Sequence, residues 1–98
     1  MKAAYVFLWT LTGTQEQFDE LIPDLINWLK KLEEDDHLLA CGSWKDSSGG
    51  LTLINADDLE TARKLHQGNP LNPIGNVVEY EWDVYYANLS TSADFKLI

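Results

Sequence analysis

The chain has 98 residues, a length that suits one domain, and its 45% hydrophobic and 11% aromatic content can supply a core. Seven Lys and Arg against 16 Asp and Glu give a formal charge of −9, which repels phosphate backbones and anionic headgroups and argues against nucleic acid and membrane surfaces as partners. The acidic residues are scattered as on a solvated surface, and the single cysteine, Cys41, allows no internal disulfide.

Residues Ala3 to Thr10 are rich in aromatic and β-branched types and apolar on both faces, which predicts a central buried strand. Thr12-Gly13 breaks it, and Thr14 followed by Gln17 has the form of a capping box. Phe18, Leu21, Ile22, Leu25, Leu29 and Leu32, with Trp28, then recur at helical spacing to about Glu34. Pro23 predicts a kink or a fresh start within that helix, because it has no N–H to donate.

Leu38 to Trp44 and Leu51 to Asn55 read as two antiparallel strands joined by Ser47-Ser48-Gly49-Gly50. Asp57, with Glu60 three residues on, is expected to cap a second helix that runs through Gln67, with Leu59, Ala62 and Leu65 inward. Arg63, Lys64 and His66 suit its C-terminal dipole, and both His37 and His66 are expected at the surface. Asn69 to Pro73 is a loop. Val78, Tyr80, Trp82 and Val84 alternate with Glu79, Glu81 and Asp83, predicting a fourth strand with one buried and one polar face.

The order βαββαβ is the ferredoxin-like α+β arrangement, with two helices on one face of a four-stranded antiparallel sheet. The domain is expected over residues 1–86, and residues 87–98 form a tail whose Phe95, Leu97 and Ile98 are placed to pack on a partner subunit. The first strand is apolar on both sides, so a second copy is expected to cover the other sheet face, giving a homodimer. No run reaches the roughly eighteen apolar residues of a membrane span. The N-terminal apolar stretch ends without a small-residue cleavage site. A cytoplasmic location is therefore expected.

The element order, the run Leu38-Leu39-Ala40-Cys41-Gly42, Gly49-Gly50 at the third strand, the Ala62-bearing helix and Asn69-Pro70 after it together resemble the YCII-related family of dimeric α+β barrels, over about residues 3 to 86. The resemblance implies a small-molecule cleft holding a His from the first helix, in an Arg-Pro-x-His pattern, and an Asp from an Asp-Pro after the second. A carboxylate orients such an imidazole and raises its basicity for proton transfer. Here the matching residues are Ile22-Pro23-Asp24-Leu25 and Asn69-Pro70, so Leu25 and Asn69 stand where the pair would be.

Leu25, Trp28, Trp44 and Asn69 are therefore the expected ligand cleft, for a small apolar or aromatic molecule. Asp24 and Asp46 are the candidate catalytic carboxylates. No metal-ligand spacing relates His37 and His66, no phosphate-cradling loop is present, and no cofactor is expected. Three readings stand side by side: a dimeric small-molecule-binding module, a lyase- or isomerase-type enzyme using a cleft carboxylate, and a structural or protein-docking subunit. Whether the chain is an enzyme is left open.

Overall fold

A computed structural model describes residues 3–85; the predicted tail, residues 87–98, lies outside them. The elements are β1 (Ala3–Leu11), α1 (Gln15–Glu34), β2 (Leu38–Ser43), β3 (Gly49–Ala56), α2 (Leu59–His66), a 3-10 turn (Asn72–Ile74) and β4 (Gly75–Trp82). The strands form one antiparallel sheet in the order β2-β3-β1-β4. This is the expected ferredoxin-like α+β architecture.

Thr14 caps α1 as its sequence predicts: its hydroxyl accepts from the Gln17 N–H, and the Gln17 side chain accepts from the Thr14 N–H. The helix continues through Pro23 rather than restarting. Pro23 and Asp19 are both exposed, so water can satisfy the Asp19 carbonyl that the proline leaves without a partner. At the other end, Asp36 N–H bonds the Glu33 carbonyl and His37 N–H the Leu32 carbonyl, with Asp36 at φ 64°. This is a Schellman ending with aspartate in the left-handed position that glycine occupies at least cost. Asp36→Gly is expected to raise stability by about 1 kcal/mol, read as a later urea midpoint with an unchanged slope.

The α2 cap is Asp58, one residue later than predicted. Its carboxylate accepts from the Thr61 N–H at 2.7 Å, and that hydrogen bond holds it below the usual carboxylate range.

Tyr5 and Phe7 of β1, with Ile54 of β3, pack against Leu32 of α1 and Ala62 of α2. Trp9 continues this face into a second cluster with Leu25, Leu29 and Leu71. The alternate residues of β1 and their neighbours lie on the other face: Val6 pairs with Leu53 and Tyr80, and Leu8 with Leu51 and Val78. Strand β4 corrects the predicted inside and outside. Its apolar row points to the face the helices do not cover, where Val78 and Tyr80 are 50% and 55% exposed. Its acidic row points the other way, and Glu79 pairs with Arg63 of α2. As an edge strand, β4 keeps enough solvent beside α2 to hydrate those charges.

Candidate functional site

Two residues 44 positions apart meet because α1 lies over the sheet and the turn after α2 returns beneath it. Leu25 of α1 and Asn69 line one cavity of about 140 Å³ with Trp9, Phe18, Ile22 and Leu71. The mouths of β2 and β3 complete it through Cys41, Ser43 and Thr52. A cavity of roughly 150 Å³ with apolar walls takes one benzene-sized molecule in another protein, so this volume suits a single aromatic ring.

Backbone geometry builds the polar part. Asn69 is buried and its Oδ1 accepts from the Leu71 N–H at 2.9 Å, which leaves Nδ2 as the donor it can offer a ligand. The Trp9 indole is fixed by its Nε1–H donating to the Leu71 carbonyl at 3.1 Å. Cys41 Sγ lies 3.6 Å from Thr52 Oγ1, and burial pushes the thiol above its ordinary value although the Thr52 hydrogen bond pulls it down. It is a thiol rather than a thiolate at neutral pH, and so a poor nucleophile.

The other expected cleft residues lie apart from this cavity. Trp28 packs between the helices, its Nε1–H donating to the Leu65 carbonyl at 3.2 Å. Trp44 is 44% exposed beyond the end of β2. Asp24 is exposed on α1 and does not line the cavity. Asp46 is exposed and accepts from the Ser48 N–H at 2.9 Å across its own turn; hydrogen bonding from the Ser48 side chain first, and then from its backbone, lowers the Asp46 pKa. Among the described residues no carboxylate or imidazole lines the cavity, so none of them supplies a base there for a proton-transfer step. Among the described residues no three His, Cys, Asp or Glu gather as a metal site.

The YCII-related domain pattern matches residues 3–82. The chain belongs to the YCII-related domain family. No match to a curated protein was found. In this YCII-related domain the positions that resemblance assigns to the His and Asp converge on one cavity, occupied by Leu25 and Asn69.

Sequence reasoning missed most of the lining, including Trp9, Phe18, Ile22, Cys41, Thr52 and Leu71. Alternation from Phe7 carries the signal for Trp9, since it places the indole on the helix face. His66 is a further correction: it is 4% exposed, stacked on Phe7 with ring centroids 4.3 Å apart. It follows Ala62 by four residues, so both share the inward stripe of α2. His37 is half-buried, its Nδ1–H donating to the Asn55 carbonyl at 2.8 Å. No described helix is long and apolar enough to cross a membrane.

Burial lowers the His66 pKa from 6.5 to about 4 against the opposing pull of Glu79. The unfolded chain therefore binds a proton that the folded one refuses between those values, and stability falls as pH drops from 6.5 towards 4. The loss is at most about 3 kcal/mol, from 1.36 kcal/mol per unit. Urea melts at pH 7 and 4.5 are expected to show it, and His66→Phe is expected to remove this part of the slope.

Proposed function

We propose that this protein is a homodimeric module that binds a small apolar or aromatic molecule, without His/Asp proton transfer. One observation carries the reading: the cavity formed by Leu25 and Asn69 has a wall of Trp9, Phe18, Ile22 and Leu71 and, among the described residues, no ionisable group except a raised thiol. Apolar walls with one or two placed donors are what a small-molecule site needs.

The dimer part of the proposal draws support from the open sheet face. Val6, Leu8, Leu51, Val78 and Tyr80 share that face, and a contiguous apolar surface of this kind marks an interface. A second copy offers the same row, which gives the self-complementary patch of a two-fold dimer.

The binding part is tested with toluene and a panel of small aromatic acids and lactones. A ligand in the cavity is expected to slow alkylation of Cys41 by iodoacetamide in proportion to its occupancy. An unchanged rate across the panel, with tryptophan emission also unchanged, would overturn the reading.

A further inference from the structure

The cavity between α1 and the sheet holds one polar group that the fold leaves uncommitted. Asn69 is fixed by its backbone, its N–H donating to the His66 carbonyl at 3.0 Å and its carbonyl accepting from the Asn72 N–H at 3.1 Å. A third bond turns its side chain, because Oδ1 accepts from the Leu71 N–H at 2.9 Å. An N–H can only donate, so this bond decides which end of the amide is oxygen. Nδ2 then carries two N–H donors with no acceptor among the described residues.

A ligand can reach this nitrogen. Among the described residues the fully enclosed side-chain nitrogen without a partner is His66 Nε2, so Asn69 Nδ2 retains accessible surface. Asn69 as a whole is 5% exposed and lines the cavity, and the surface it keeps therefore opens into that space. Natural interiors rarely leave such a donor unused, because it carries the desolvation of a polar group with nothing in return.

The other polar groups on the wall are engaged. Trp9 Nε1–H donates to the Leu71 carbonyl, Cys41 Sγ and Thr52 Oγ1 face each other, and Ser43 lies at the exposed rim. One enclosed donor is left, and it calls for one acceptor. Among the described residues no Lys, Arg or His lines the cavity, so an aromatic carboxylate would shed its hydration without gaining a counter-charge. Resting on the small-molecule reading above, we propose that the ligand is a neutral aromatic molecule bearing a carbonyl, an aryl ketone being the simplest case. Its oxygen accepts from Asn69 Nδ2–H, and its ring lies against Trp9, Phe18 and Leu25.

The probes are acetophenone and α-methylstyrene, which has the same shape with a methylene in place of the oxygen. Titration of the full chain is expected to give saturable NMR shifts at the Trp9 indole and the Cys41 and Thr52 amides with both probes. A downfield shift of the Asn69 side-chain amide is expected with the ketone alone. Asn69→Asp keeps an oxygen for the Leu71 N–H and removes both donors, so the ratio of ketone to hydrocarbon affinity is expected to fall at least about tenfold in it. Should that variant fail to fold, the same hydrogen bond is read in the wild type as a carbonyl stretch of bound acetophenone below its value in hydrocarbon solvent. An unchanged affinity ratio in the folded variant, an Asn69 amide that responds alike to both probes, or an unlowered stretch would each overturn the proposal while leaving the cavity a binding site. No saturable shift with either probe would overturn the proposal and the small-molecule reading together.

Discussion

Replacing Gly75 by alanine is expected to be among the most damaging single changes in this chain, although Gly75 has an extended backbone at φ −154° that any residue can adopt. The reason is space. A Cβ at position 75 would fall inside the indole of Trp9. That indole cannot move aside without breaking its hydrogen bond to the Leu71 carbonyl and opening the cavity it walls. Overpacking of this kind costs about 3 kcal/mol. At roughly 4–8 °C per kcal/mol for a domain of this size, Tm is expected to fall by about 12–24 °C. Gly42→Ala is the matched control. It lines the cavity, but nothing among the described residues lies within 4 Å of the added Cβ, so its unfolding free energy is expected to stay within about 0.5 kcal/mol of the wild type. Equal losses in the two variants would contradict the packing explanation.

Val78→Lys combined with Tyr80→Lys is expected to convert the proposed dimer to monomer. Both side chains are half exposed within a protomer, so folding of the protomer is expected to change little. In the dimer each lysine would be buried against an apolar row, weakening association by at least about 100-fold. Lysine is the informative choice because each copy carries −9. The substitutions reduce the long-range repulsion between copies, so dissociation could come only from the interface. Light scattering is expected to show half the wild-type mass for the variant. The wild-type dimer is expected to tighten as salt screens that repulsion. A wild type that is monomeric at every salt concentration would remove the sheet-face dimer.

The fold was legible where a local pattern has one physical solution. The capping box at Thr14 and Gln17 marks the start of α1, and the alternation from Val78 to Trp82 specifies a strand. What the alternation could not say is which row faces the helices, because that depends on β4 lying at a sheet edge beside β1. Pro23 shows the converse limit: a residue that breaks helices in isolation sits inside one here, on an exposed stretch where water can satisfy the Asp19 carbonyl.

The candidate site divides in the same way. Leu25 and Asn69 came from a family pattern that already encodes a tertiary contact, and they do line one cavity. Trp28 and Trp44 were chosen for chemistry and proximity along the chain, which carry no such information. The indole that lines the cavity belongs to Trp9, on a strand far from both. His66 was misplaced because its dipole-compatible position at a helix end outweighed its spacing from Ala62. Burial of the ring against Phe7 shows which consideration dominates.

The central claim is that Leu25, Asn69 and Trp9 enclose a binding site for a small apolar molecule. Its most direct test is a toluene titration followed by ¹H–¹⁵N NMR at the Trp9 indole N–H. The claim predicts a saturable shift of that resonance together with the Cys41 and Thr52 amides, while exposed Trp44 stays unchanged. A Trp9 indole that does not respond at toluene saturation, or a response confined to Trp44, would contradict it.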